Sequence, residues 1–303
     1  MKKSHLWMLM AMGLLFLGAC SRNSTPTTQQ TSQTQTRRTF YISAIPDQNQ
    51  SDLSNAMNEL ARILSEATGV DVQHKYVMDY ASVVTGFARD EIQLAWFGGL
   101  TGVQGRALLD GSVAVAQREE DTGFTSVFIA GANTGIETLQ DYKGRSFTFG
   151  SESSTSGHLM PRYYLSQAGI IPERDFAGEV GYSGSHDRTI ELVSNGAYDG
   201  GALNDIVWER YVNEGLLDLT RIKLVQYSPP YFNYNFSMPS KASVDAAYGT
   251  GTFDKIVETL LSVDVRNNRA LYAFFVSDGF IPTKNENYDD IKAVAQMLGL
   301  LIQ

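Results

Sequence analysis

FTFGSESSTSGHLMPRYYL, residues 147–165, is a short apolar segment that runs into a hydroxyl-rich turn and then into a helical pattern. Ser146 to Phe149 reads as a strand, and a helix is expected near 158–169. A helix start presents unpaired backbone N–H groups and the positive end of the helix dipole. Anions bind there readily. Ser154, Thr155 and Ser156 add hydroxyl donors that can rotate to suit a tetrahedral oxyanion. A serine-rich turn is also an ordinary N-cap followed by a loop, so this stretch needs company before it means a site.

The flanking sequence repeats the same unit. Strands are expected at Thr39–Ala44, Val70–Tyr76, Ile92–Phe97, Ser126–Ala130, Gly200–Leu203 and Ile222–Gln226. Leu53, Met57, Leu60, Ile63 and Leu64 fall at helical spacing, with Gly69 as the stop, and helices follow at Ala81–Asp90, 187–196 and 205–214. Strand–helix alternation makes an α/β protein with parallel pairing and helices on both faces of its sheets. Ligands in such sheets sit at the carboxyl ends of strands. The loops to watch therefore follow Ala44, Phe97, Gly150 and Leu203. Two passages between lobes are expected, at Gly131–Gly135 and at Tyr227-Ser228-Pro229-Pro230-Tyr231. That division assigns 39–131 plus 232–303 to lobe one and 132–231 to lobe two.

Other segments gather around the serine turn. Gly184-Ser185-His186-Asp187 opens a second helix, where His186 can donate to an anion and Asp187 can influence its protonation. A lone histidine is more often structural. Gln93 to Gly99 is a buried strand that ends in a glycine turn, where Gly98 permits close backbone approach. Of Trp96 and Phe97, at least one belongs to the core. Tyr80 precedes a helix, and Pro229 to Asn235 reads as cleft rim and hinge or as a packed aromatic loop. Asp47, Glu152, Asp187 and Asp205 are near enough in sequence to act as acceptors.

The N-terminal segment sets an expected compartment. Lys2 and Lys3 precede an apolar run from Leu6 to Leu17, shorter than the ~20 residues that span a bilayer. It reads as a signal peptide, residues 1–19. Leu17-Gly18-Ala19-Cys20 resembles a lipobox, which makes Cys20, the single cysteine, a lipidation site. Residues 20–38 are dominated by Ser, Thr, Gln and Asn and are expected to act as a disordered tether.

The formal net charge is −9, and no Lys/Arg-rich run appears, so nucleic acid is not an expected partner. No metal or cofactor motif is present. An enzyme is the first rival, because Ser, His and Asp all occur near the turn. Gly150-Ser151-Glu152-Ser153-Ser154 lacks the final glycine of a nucleophile elbow, and adjacent His186 and Asp187 form an awkward couple. A sensor or binder of a small organic anion is the second rival.

The blocks AIPDQN, MDYASVV, QLAWFGGLTGVQGR, FTFGSESSTSGHLMP, GYSGSHD, ALNDIVWER and PPYFNYN, in this order from about residue 39 onward, resemble the phosphate/phosphite/phosphonate-type solute-binding proteins of ABC transporters. They look most like the subgroup labelled selenate binders. The resemblance implies a type II periplasmic-binding-protein fold, two lobes with mixed sheets closing over the ligand. It implies a monomer that delivers a small oxyanion to a transporter permease, with no cofactor. It places Tyr80, Phe97, Gly98, Ser154, Thr155, Ser156 and His186 at the anion. Aminoalkyl-phosphonate binders of the family use carboxylates where this chain has Asn204 and the Tyr231–Asn235 stretch, with Asp205 one position off. That departure favours an inorganic oxyanion or a simple alkyl phosphonate.

Overall fold

The computed structural model describes residues 38–301. The expected signal peptide, Cys20 and nearly all of the tether lie outside the described residues. Among the described residues, eleven strands form two sheets. The first contains β1 (Phe40–Ala44), β2 (Val72–His74), β3 (Leu94–Phe97), β4 (Val113–Gln117), β10 (Asn235–Met238) and β11 (Ile281–Pro282), in the order β11-β4-β10-β3-β1-β2. The second contains β5 (Ser126–Gly131), β6 (Phe147–Phe149), β7 (Gly181–Tyr182), β8 (Gly200–Asn204) and β9 (Ile222–Tyr227), in the order β7-β6-β8-β5-β9. The helices of the first lobe are α1 (Gln50–Thr68), α2 (Tyr80–Ala88) and α3 (Gly99–Leu108), joined later by α8 (Lys241–Tyr248), α9 (Thr252–Ser262), α10 (Arg269–Phe275) and α11 (Asp289–Met297). The second lobe carries α4 (Met160–Gln167), the one-turn α5 (Pro172–Asp175), α6 (His186–Ser194) and α7 (Asp205–Asn213).

Both sheets are mixed. β1 lies parallel to β2 and β3, whereas β10 runs antiparallel to β3 and β4. β6 lies parallel to β7 and β8, whereas β5 runs antiparallel to β8 and β9. β5 and β10, each the first strand after the chain has changed lobes, both enter their sheets antiparallel to their neighbours, and β11 also lies antiparallel to β4. β5 shows why its sequence is a continuous apolar run: Val127 and Ile129 pack into one core cluster of the second lobe, Phe128 and Ala130 into another on the opposite face.

The first passage differs from the expected one. β5 pairs within the second sheet, so the chain changes lobes between Gln117 and Ser126, one strand before Gly131. The glycines at 131–135 form a turn, with Thr134 N–H on the Gly131 carbonyl and Gly135 at φ +73°. Turn chemistry marks a change of direction, not a change of sheet. The return passage runs from Ser228 to Tyr234. The two passages are tied to each other: Phe124 and Tyr231 exchange backbone hydrogen bonds of 2.9 Å in both directions, and Asn233 N–H donates to the Asp121 carbonyl. Arg118 and Asp121 form a buried ion pair at 2.8 Å. The Arg118 guanidinium lies over the rings of Trp96 and Tyr234, and Asp121 Oδ1 accepts from Tyr234 N–H.

Candidate ligand-binding site

Four strand ends deliver the site. The loop after β1 carries Asp47, β3 ends at Phe97-Gly98, β6 ends at the serine turn, and β8 ends at Asn204. Tyr80 is the first residue of α2, whose N-cap Asp79 accepts from Ser82 N–H. The return passage adds Tyr231, Asn233 and Tyr234.

The serine turn enters α4 through a single π-helical turn, Thr155–Leu159. Ser154 Oγ caps it by accepting from Gly157 N–H at 2.9 Å. Gly150 N–H donates to the Gly157 carbonyl, and a Cβ on Gly157 would lie 3.0 Å from the Gly150 Cα. Two glycines are therefore needed for strand end and turn to touch. Ser154, Thr155 and Ser156 are all buried. The Ser156 hydroxyl faces Tyr231, whose own hydroxyl bonds Ser126 Oγ at 2.7 Å.

The two lobes are in direct contact here. Leu100 N–H at the start of α3 donates to Thr155 Oγ1 at 2.8 Å, and His186 N–H at the start of α6 donates to the Asp47 carbonyl at 2.8 Å. Gly99 N–H donates to Asn233 Oδ1 at 3.0 Å. This is a closed arrangement. Gly98 sits at its seam, where an added Cβ would meet Thr155 Oγ1 at 3.1 Å and Asn233 Oδ1 at 3.6 Å. Gly98→Ala is expected to leave the separate lobes folded but to hinder closure, weakening ligand binding about five- to tenfold, the low end of an overpacking penalty. Calorimetry alongside thermal unfolding checks this; unchanged affinity would show that the seam tolerates a methyl group.

A second network surrounds Asp47. Tyr234 donates its hydroxyl to Asp47 Oδ2 at 2.6 Å and accepts from Asn204 Nδ2 at 3.1 Å. Its ring stacks on Trp96 at 5.5 Å. His186 is fully buried. Its Nδ1 lies 3.4 Å from the Asn204 N–H, and its Nε2 lies 3.4 Å from the Tyr234 hydroxyl. Burial pushes its pKa down to about 3, so the ring is neutral at physiological pH. Desolvation dominates, and both ring nitrogens face protein groups.

Three buried side-chain atoms lack a hydrogen-bond partner among the described residues: Asp47 Oδ1, the Tyr80 hydroxyl and Asn233 Nδ2. Tyr80 faces Ser154 without a hydrogen bond of good geometry, and its charge interaction with Asp47 places it in the same neighbourhood. The set contains an acceptor, a hydroxyl and a donor. Leaving such atoms unpaired costs about 1–3 kcal/mol each. A ligand that accepts from Tyr80 and Asn233 and donates to Asp47 removes that cost. Burial raises the Asp47 pKa to about 6, opposed by the Tyr234 hydrogen bond and by Arg118.

The remaining candidates separate by geometry. Phe97 packs its ring against Phe87 in the core and offers the site only its backbone. Asp205 is occupied: Oδ2 accepts from Thr125 N–H at 3.0 Å and from Thr125 Oγ1, and Oδ1 accepts from Ile206 N–H. It is a strut between α7 and the first passage. Asp187 is partly exposed, accepts from the Ser185 hydroxyl and Arg188 N–H, and lines a surface depression with Tyr211 and Arg221. Asp205 thus has both oxygens engaged, whereas Asp187 uses Oδ1 within its own helix start and acts on Asp47 and Tyr80 through space. Tyr234 and Asn233, by contrast, were legible only as part of an aromatic, amide-rich rim, because their partners come from distant segments.

Two α/β lobes joined by paired passages and closed over a buried set of donors with one carboxylate define a two-lobed binding protein for a small polar ligand. A family model described as "ABC transporter, phosphonate, periplasmic substrate-binding protein" matches residues 42–288, and the chain belongs to that family. The chain is 35% identical over 269 residues to a probable ABC transporter phosphite-binding protein of Prochlorococcus marinus, PhnD1, covering 86% of this chain and 90% of that one. It is 26% identical to a phosphate-import protein of Mycolicibacterium smegmatis, across 94% of this chain and 93% of the relative. The solved structure of the Prochlorococcus protein in complex with methylphosphonate superposes with a TM-score of 0.82, covering 86% of this chain and 98% of the other. A phosphonate-transporter binding component from Pseudomonas aeruginosa, 19% identical, shares the fold at a TM-score of 0.72 over 85% of each chain. The chain is thus a substrate-binding component of an ABC importer, and its place of action is extracytoplasmic.

Proposed function

We propose that this chain captures a small phosphorus oxyanion of the methylphosphonate or phosphite kind in a singly protonated form and presents it to a transporter permease. The observation that carries this reading is Asp47 Oδ1, a buried acceptor without a protein partner amid hydroxyl and amide donors. A fully ionised sulfate or selenate has no proton for that oxygen and meets repulsion there. A hydrogenphosphonate donates one hydrogen bond to it and accepts the rest. Tyr80, Ser154, Thr155, Ser156 and Asn233 supply donors, while Tyr234, Asn204 and His186 hold Asp47 in place. The similarity to a methylphosphonate-bound relative supports the ligand class. Calorimetry with methylphosphonate, phosphite, phosphate, sulfate and selenate tests it. Methylphosphonate or phosphite should bind at least about a hundredfold more tightly than sulfate and selenate, the worth of one charge-assisted hydrogen bond plus avoided repulsion. Equal affinity for all five would overturn the reading.

The protein acts as a monomer tethered by lipid at Cys20, with the polar segment that follows as its leash. Support comes from the lipobox-like Leu17-Gly18-Ala19-Cys20 after a short apolar run. Cys20→Ser is expected to move the protein from the membrane to the soluble fraction; unaltered membrane fractionation would exclude the anchor.

A further inference from the structure

The serine turn is held from behind by a pair of side chains, His158 and Arg162. His158 is 2% exposed and stands in the π-helical turn, two residues after Ser156. Its Nδ1 lies 2.6 Å from the Glu152 carbonyl oxygen. Its Nε2 lies 2.9 Å from Nε of Arg162, one helical turn further on. A carbonyl only accepts and a guanidinium only donates. The two neighbours therefore dictate one tautomer, with the proton on Nδ1 and the lone pair on Nε2. Arg162 is itself fixed: Nη1 donates to Glu173 at 2.6 Å, Nη2 to the Tyr182 hydroxyl at 3.1 Å, and the guanidinium lies over the Phe149 ring at 5.1 Å. The imidazole packs between Phe149 and Tyr182, with ring centroids 4.9 and 5.1 Å away.

We propose that His158 and Arg162 form a positioning pair that sets the oxyanion donors of the serine turn. Arg162 selects the imidazole tautomer, and the resulting Nδ1–H pins the Glu152 carbonyl. Glu152 lies in the exposed tip of the turn, whose other ties are the Ser154 N–H bond to the Ser151 carbonyl and a longer Ser153 N–H contact to Ser151 Oγ. A π-helical turn inserts one residue and is a local departure from helix geometry that recurs at functional sites. Donors must be held within a fraction of an ångström to serve one small ion. Pinning Glu152 to the residue that follows the turn closes the turn on itself, so that Ser154, Thr155 and Ser156 keep their places when the lobes part. Burial pushes the His158 pKa down to about 4, which keeps the ring neutral and the tautomer intact at physiological pH.

The proposal rests on the oxyanion reading for its ligand arm and is independent of it for its tautomer arm. Nitrogen-15 spectra of the histidine side chains report the tautomer directly: His158 should be protonated on Nδ1 in the wild-type protein and should shift toward a mixture in Arg162→Met. Calorimetry with methylphosphonate should show His158→Phe weakened about tenfold or more. His158→Asn, whose amide nitrogen reaches the place of Nδ1, should stay within about threefold of wild type. If His158→Phe fails to fold, Arg162→Met, which leaves the imidazole in its pocket, should still lose about threefold or more in affinity. Wild-type affinity in both His158→Phe and Arg162→Met would overturn the pair, as would equal losses in the Phe and Asn variants or a wild-type Nε2–H tautomer. A wild-type protein that binds no methylphosphonate would instead sink the oxyanion reading, with the spectra still deciding the tautomer.

Discussion

Asp47→Asn is expected to invert the preference of the site, losing about a hundredfold in affinity for methylphosphonate while gaining about tenfold for sulfate. The loss follows from removing the unpaired carboxylate acceptor Asp47 Oδ1. Asp47 Oδ2 is engaged by the Tyr234 hydroxyl, so an asparagine places its oxygen there and turns its amide nitrogen toward the ligand. A P–OH group then meets a donor, whereas a sulfate oxygen finds one. Calorimetry with both anions on both proteins reads the ratio. An unchanged ratio would mean that Asp47 only anchors Tyr234. The same variant should alter stability without ligand, and the sign is opposite to that of an ordinary surface carboxylate. Desolvation raises the folded pKa to about 6, from the 3.8 of an ordinary aspartate. The folded protein therefore binds a proton that the unfolded chain has released, and stability present below pH 4 is lost as pH rises through about 6. At pH 8 the wild-type protein carries a cost on the order of 3 kcal/mol that the asparagine variant lacks, and at pH 4 the two should converge.

Much of this architecture could be read from local pattern. Apolar runs such as Leu94–Phe97 and Ser126–Ala130 announced buried strands, and the amphipathic spacing of Leu53, Met57, Leu60 and Leu64 announced a helix that does bury that face. The serine turn was legible because a strand, a hydroxyl cluster and a helix occur within twenty residues. The first passage was not. Its segment, Arg118-Glu119-Glu120-Asp121, has the composition of a solvated turn, yet Arg118 and Asp121 are buried as a pair beneath Trp96 and Tyr234. Charge alone signals exposure, and the rings and the Phe275 carbonyl that bury this local pair come from distant parts of the chain. The same reason hid the central role of Tyr234: its contacts to Asp47, Asn204 and Trp96 span 187, 30 and 138 positions of sequence. His186 could be seen as a helix-start histidine, but not as one whose protonation burial suppresses. His158 and Arg162 stand one turn apart in a helix, so their contact follows from spacing. The carbonyl they jointly orient does not.

Ligand affinity should pass through a maximum with pH, for a phosphonate whose second ionisation lies above that of Asp47. The complex holds one proton between Asp47 Oδ1 and a ligand oxygen. Above the ligand's second ionisation both partners are deprotonated before they meet, so binding must take up a proton and affinity falls about tenfold per pH unit. Below about 6 the free carboxyl carries its own proton. That proton sits on Oδ1, because Oδ2 is held by Tyr234, and it must leave before the ligand can donate there; affinity falls again. The other groups around Asp47 do not create these limbs. Arg118 is a fixed cation, raised further by its pairing with Asp121. Burial pushes the Tyr234 and Tyr80 hydroxyls well above the usual tyrosine range, and His186 is held down to about 3. Asp187 reaches Asp47 only through space. In Asp47→Asn the alkaline limb should reverse, because an amide donor prefers the dianion. Calorimetry in buffers of different ionisation enthalpy counts the protons: uptake approaching one per ligand on the alkaline side, release on the acid side. Affinity that stays flat from pH 6 to about 9, or an asparagine variant that falls as steeply as the wild type, would show that the bound ion shares no proton with Asp47.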